Sequence, residues 1–220
     1  MNSINKFIKR VFDVVFSVLM ILVLFPFLII VAISIRLDSK GSILFKQPRL
    51  GLNGKIFNIY KFRSMVVGAE QMGTGLFNYS NDPRVTKVGN FLRNYSLDEL
   101  PQLLNILKGD MSFVGPRPPV TYELGDYINF EGLLKQRFTM KPGVTGLAQI
   151  NGRNELSWDQ KIVFDNKYIS DFNRLGILLD IKILFITVFK VLRNEGSHEL
   201  EQNAEKDMAR INDNKTQNNN

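Results

Sequence analysis

Two hydrophobic patterns divide this chain. From Val14 to Ile35 no charged residue interrupts a mainly aliphatic and aromatic run. Such a run meets the length of about 20 apolar residues needed to cross a bilayer core. Lys6, Lys9 and Arg10 precede it, interleaved with Phe7, Ile8, Val11 and Phe12, while Arg36, Lys40, Lys46, Arg49 and Lys55 follow. Pro26 lies near the middle, where a proline removes a helical hydrogen bond and kinks or breaks the helix. Basic flanks prefer the cytoplasmic side of a membrane. Both flanks here are basic, so the pattern predicts a helix bent at Pro26 that enters and leaves by one face, not a single span. No small-residue cleavage site closes the run, and it is too long for the apolar core of a signal peptide.

Beyond Arg36 the apolar positions become short and periodic. Ile43–Gln47 and Ile56–Arg63 read as strands joined through Asn53-Gly54, the signature of a β-hairpin. Its cations Lys46, Arg49, Lys55, Lys61 and Arg63 are read as solvated or resting on lipid headgroups. Val66–Met72 reads as a helix and Gly73–Asn81 as a loop. Val85, Val88, Phe91 and Leu92 share a helical face on an element that delivers Arg93 five residues before Asp98, and Leu100, Leu103, Leu104 and Leu107 form the stripe of a helix stopped by Gly109. Ser157 and Gln160 have capping-box spacing for a helix to about Ser170, with Trp158 packing or interfacial in its first turn. Ile177–Leu192 is apolar except for Asp180, Lys182 and Lys190, which predicts a helix buried on one side or lying in a membrane interface. From Asn194 the polar, Asn-rich composition predicts a disordered tail.

The chain thus reads as α+β and mostly helical. Residues 1–37 form a re-entrant membrane helix hairpin. Residues 38–193 form a small β-hairpin and a compact helical domain with interfacial amphipathic helices, and 194–220 form the tail. At 220 residues there is room for one such domain and an anchor, not for two large domains. A net charge of +7 points to anionic partners. With no cysteine, thiolate chemistry and disulfides are excluded. The single histidine, His198, lies in the tail. Acid–base, nucleophilic or metal chemistry therefore falls mainly on carboxylates.

Asp98 and Glu99 are the adjacent carboxylates that stand out. Ser96 and Glu99 have capping-box spacing, which places Asp98 in a first helical turn; alternatively the helix begins at Pro101. Either way the pair lies at a helix start, where acids usually compensate the dipole but where phosphate is also favoured. Pro116-Arg117-Pro118 is a stiff segment that presents Arg117 in a narrow range of directions. Lys141–Gly146 reads as a turn before the apolar run Leu147–Ile150.

Together these motifs resemble those of the bacterial sugar transferases of the monotopic phosphoglycosyl transferase type. The resemblance runs from about Lys9 to Arg193. It rests on Lys9-Arg10-Val11-Phe12-Asp13, Phe45-Lys46-Gln47 with Arg49-Leu50-Gly51, and Tyr60–Met65. It continues through Asp82-Pro83-Arg84, Ser96–Gln102, Gly109–Ser112, Val114–Pro118, Lys141–Gln149 and Asn151-Gly152-Arg153. The resemblance implies transfer of a sugar-1-phosphate from a UDP-sugar to undecaprenyl phosphate with release of UMP. It further implies Asp98 as nucleophile through a covalent aspartyl-phosphosugar, Glu99 as the Mg²⁺ ligand, and Arg117 beside the active site. Arg93 and Arg153 match basic positions suited to phosphate. The implied location is the bacterial cytoplasmic membrane, catalytic domain on the cytoplasmic face, with membrane lipid as a partner and a homodimer left open. Relatives often carry Ser-Pro at the helix bend; here the pair is Phe25-Pro26, so the kink survives without the serine hydroxyl. A non-catalytic membrane-bound scaffold of a glycan-assembly complex is the alternative, and the intact acid pair argues against it. Nucleic-acid binding rests on net charge alone and is not expected.

Overall fold

The computed structural model describes residues 3–72, 82–152 and 155–193. The expected loop at Gly73–Asn81, Arg153 and the expected disordered tail at 194–220 lie outside the described residues.

Helix α1 (Ser3–Asp38) runs for 36 residues as one element with Pro26 inside it. At 1.5 Å per residue it is about 54 Å long, so it exceeds the bilayer core. Pro26 removes the bond to the Leu22 carbonyl, yet helix continues on both sides of it. Both ends of α1 are tied to the same body. Near the start, Lys9 Nζ donates to Asp180 Oδ2 at 2.5 Å, and Arg10 donates to the carbonyls of Ile106 and Leu107 at 2.6 and 2.9 Å. Asp13 Oδ1 accepts from Ser112 Oγ at 3.0 Å and from the Phe113 amide at 3.1 Å. Near the end, Val31 and Ile35 are buried with Phe62 and Leu92, and Asp38 Oδ2 accepts from the Val88 amide at 3.0 Å. Between these points Leu22, Val23, Phe25, Ile29 and Ile30 are exposed. The basic flank is therefore not simply a charged collar: Lys9 is 5% exposed and spends its charge inside the protein.

Strands β1 (Leu44–Leu50) and β2 (Ile56–Phe62) pair antiparallel with Leu44 opposite Phe62 and Leu50 opposite Ile56. Asn53 and Gly54 take φ of 53° and 75°, the left-handed pair that an Asn-Gly turn supplies. The reading of the hairpin's cations as solvated or lipid-facing needs correction at three positions. Arg63 is buried and donates to the carbonyls of Ile35, Lys40 and Ser39, while Lys61 and Arg49 face other residues of the protein. Val66–Met72 is not a full helix but holds a single tight turn, Ala69–Gln71.

Helix α2 (Lys87–Asn94) is capped by Thr86, whose hydroxyl accepts from the Gly89 amide at 3.0 Å. Val85 lies outside it, bridged to Met65, and Phe91 is exposed, so only part of the expected face is buried. Helix α3 (Gln102–Lys108) ends at Gly109, as its φ of 89° requires. Its inward residues are Leu103 and Ile106, whereas Leu104 is exposed.

Strand β3 (Ser112–Val114) pairs parallel with β4 (Gly143–Thr145), a contact absent from the sequence reading. A Cβ on Gly143 would sit 2.1 Å from the Gly115 nitrogen, so only glycine allows the strands to approach so closely. Between them lies the short α4 (Gly132–Gln136), and after them α5 (Leu147–Ile150). Helix α6 (Trp158–Leu175) begins with the expected capping box, both bonds present, and runs five residues past Ser170. Helix α7 (Ile177–Leu192) buries Leu179, Asp180 and Ile183, while Leu178, Ile181, Phe185, Val188 and Leu192 are exposed. The main core joins Phe57 and Ile59 of the hairpin to Leu103, Ile106, Tyr168 and Phe172, with Phe12, Met20 and Ile21 of α1 packed against it.

Candidate active site

Ser96 takes a φ of 55°, a left-handed conformation that turns the chain sharply after α2. The next three residues, Leu97–Glu99, form one 3-10 turn, and Pro101 then stands at the N-cap of α3. The capping box expected of Ser96 and Glu99 does not form, because a left-handed Ser96 cannot aim its hydroxyl at the turn it precedes. The reading in which the helix begins around Pro101 is the one realised. This break turns both carboxylates inward: Asp98 and Glu99 are each 8% exposed.

What faces them is cationic. Lys61, from β2, places Nζ 2.8 Å from Glu99 Oε1 and 3.7 Å from Asp98 Oδ2. Arg117 brings Nη1 and Nη2 to 3.4 and 3.3 Å from the same Glu99 oxygen. Burial disfavours the Arg117 charge, but Glu99, with Asp98 and Glu123, outweighs it and holds the guanidinium pKa above its ordinary value. Arg49 lies close by. Burial, aided by the neighbouring Arg117 charge, brings it down to about 10 against the pull of Glu123, Glu99 and Glu70.

The segment carrying Arg117 is stiff for more reasons than its prolines. The carbonyls of Pro116, Arg117, Pro118 and Pro119 accept from the Gly143 amide (2.9 Å), Arg137 Nη2 (2.7 Å), Arg49 Nη1 (3.0 Å) and the Leu50 amide (3.1 Å). Bonding at four successive carbonyls fixes the backbone from which the Arg117 side chain extends. Of the other basic positions, Arg93 is partly buried in the last turn of α2, within electrostatic reach of Asp82. Arg153 lies outside the described residues.

The sequence reading missed Lys61 as a site residue. Its signal was the alternation of β2, which puts Lys61 on the same face as the buried Phe57 and Ile59. It also missed Arg137, each of whose neighbours looks unremarkable in sequence.

Among the described residues no three His, Cys, Asp or Glu side chains converge to cage a metal. The hard oxygens of Asp98 and Glu99 instead suit Mg²⁺, which is commonly held by one or two carboxylates and completed by substrate phosphates and water. With Lys61 and Arg117 beside them, the pair can receive a polyanion without facing it as bare negative charge.

Fold and site together define a class: a helical domain, joined to a long apolar helix, that sets a buried acid pair against a lysine and an arginine. Residues 4–194 match the family model described as bacterial sugar transferase, and the chain belongs to that family. It is 41% identical over 203 residues to the UDP-glucose:undecaprenyl-phosphate glucose-1-phosphate transferase of Escherichia coli K12, covering 90% of this chain and 43% of that protein. The undecaprenyl-phosphate galactose phosphotransferase of Salmonella typhimurium is 39% identical over 208 residues, covering 88% and 42%. An uncharacterized sugar transferase of Bacillus subtilis, EpsL, is 41% identical over 189 residues and matches in length, with 86% of this chain and 89% of EpsL covered. The chain thus spans about two fifths of the length of the enterobacterial relatives.

Proposed function

We propose that this chain transfers a sugar-1-phosphate from a UDP-sugar to undecaprenyl phosphate, giving undecaprenyl-diphosphate-sugar and UMP. The observation that carries the reading is the Asp98–Glu99 pair, buried yet opposed by Lys61 and Arg117. The relatives' names supply the substrate class.

A carboxylate attacks a diphosphate poorly because both are negative. Lys61 and Arg117 counter that repulsion where it develops, which is where fixed charges lower a barrier most. The Asp98 carboxylate oxygen attacks the phosphorus that bears the sugar. The bond to the UMP oxygen breaks, UMP leaves, and an aspartyl phosphosugar remains. An oxygen of the lipid phosphate then attacks the same phosphorus, the bond to Asp98 breaks, and the carboxylate is regenerated. Mg²⁺ would be held by Glu99 together with donor phosphate oxygens; when bound, it neutralises the diphosphate and polarises phosphorus.

The second step needs the pocket at the headgroup plane. In this reading α1 is re-entrant, entering and leaving the cytoplasmic face of the inner membrane. Its basic flanks support this, as does the bonding of its two ends to one body. The exposed apolar faces of α1 and α7 lie in lipid, and α7 lies along the interface. The chain has no cysteine, so Ser3→Cys and Ser42→Cys give single-label proteins. Both are labelled by an impermeant maleimide from the cytoplasmic side only; periplasmic labelling of either would make α1 a true span.

The decisive assay is UMP release from a panel of UDP-sugars by the lipid-reconstituted protein with undecaprenyl phosphate and Mg²⁺. One donor gives metal-dependent release, and that donor names the sugar. Folded protein that releases no UMP from any donor in a broad panel would remove the reading.

A further inference from the structure

Among the described residues Arg137 is the largest fully buried side chain, 1% exposed, and it forms an ion pair with Asp165 of α6, also 1% exposed. Its Nε and Nη2 donate to one oxygen, Asp165 Oδ2, at 3.0 and 2.8 Å. A buried pair of this kind is weak evidence for stability, because desolvation offsets its attraction. Burial indeed pushes the Asp165 carboxyl up against the opposing pull of Arg137. The question is what the pair does besides joining α6 to the turn that holds Arg137.

Nη2 has a second acceptor, the carbonyl of Arg117 at 2.7 Å. The Arg137 guanidinium carbon lies over the rings of Phe138 and Trp158, 5.1 Å from each centroid. The backbone of Arg117 therefore rests on an oriented, buried donor. In front, the Arg117 side chain reaches Glu99 at 3.3–3.4 Å, the long end of a hydrogen bond. A displacement of well under an ångström would lose it.

We propose that Arg137 and Asp165 form a positioning pair for Arg117: by holding the Arg117 carbonyl from behind, they fix the direction from which its guanidinium faces Glu99. The consequence for turnover rests on the phosphosugar transfer proposed above; the consequence for the backbone does not. Lysine cannot replace Arg137, since a single ammonium lacks the flat fork that serves Asp165 and the Arg117 carbonyl together.

The test uses the full chain in lipid, with Arg137→Lys and Asp165→Asn each made in the wild-type and Arg117→Ala backgrounds. Two quantities are read: UMP-release kinetics, and amide exchange across residues 113–120. In the wild-type background each substitution lowers kcat by about 10- to 100-fold with donor KM within about twofold. The same substitution costs less than about threefold further once Arg117 is already alanine, because the interaction it supports is gone. Exchange quickens at 113–117. Equal losses in both backgrounds would make the pair merely structural and overturn the proposal, as would unchanged exchange at 113–117. A folded wild type that releases no UMP removes the function proposed above, and exchange then decides the positioning claim alone. Should Asp165→Asn fail to fold, Arg137→Lys, which keeps the buried charge, carries the test.

Discussion

Asp98→Asn lowers UMP release by at least about a thousandfold, a loss typical of removing a covalent nucleophile, while the protein stays folded. The amide has nearly the same shape, but its oxygen carries no charge and cannot form an acyl phosphate. The fold tolerates the change because Lys61 keeps its closer partner, Glu99 at 2.8 Å, when the 3.7 Å contact to Asp98 loses its charge. The same substitution abolishes protein-bound label when the donor carries ³²P in the sugar-bearing phosphate. Turnover at the wild-type rate would place the nucleophile elsewhere. Persistent labelling with lost turnover would assign Asp98 to the second step instead.

The largest effect on stability is expected at Asp180, far from the acid pair. Asp180→Ala destabilises the protein by about 3–5 kcal/mol, the usual cost of breaking a buried ion pair, measured by denaturation in detergent. The variant strands the Lys9 ammonium and takes away the carboxylate that accepts from Tyr168 Oη at 2.7 Å. Lys9→Met behaves differently, and pH reveals it. Burial raises the Asp180 pKa above its ordinary 3.8, and Lys9 opposes that rise. Without Lys9 the folded-state pKa climbs further. Such a group contributes most below its unfolded pKa and loses that contribution as pH rises through the folded value. The deficit of Lys9→Met relative to wild type therefore grows as pH rises past the raised folded-state value that Asp180 has in the wild type. A deficit independent of pH would mean that Asp180 does not take up the proton.

Local signals carried much of the architecture. The Asn53-Gly54 turn, the Ser157–Gln160 capping box and the boundaries of α7 were legible because each depends on residues within a few positions of one another. The β3–β4 pair was not, since three-residue strands are too short to show alternation and are joined across an intervening 28 residues. The Ser96 capping box failed for a related reason. Spacing states which residues could bond, whereas the left-handed Ser96 belongs to the turn imposed by packing on both sides. For the site, the structure places Arg117 3.3 Å from Glu99. Lys61 was hidden by its company, because a cation among five on one hairpin reads as surface unless the register is known. Arg137 is a charged residue with no partner nearby in sequence; its partner stands 28 positions on.

The bonds made by α1 also impose an order on biosynthesis. Lys9, Arg10 and Asp13 leave the ribosome first, yet their partners are Ile106, Leu107, Ser112, Phe113 and Asp180. Chains are made at about 5–20 residues per second, so these polar groups wait several seconds for acceptors. During that interval their folded-state acceptors are missing, so these polar groups depend on water or other transient partners. The last of these contacts closes when α7 emerges. Seating of α1 on the domain is thus completed only after α7 has been made.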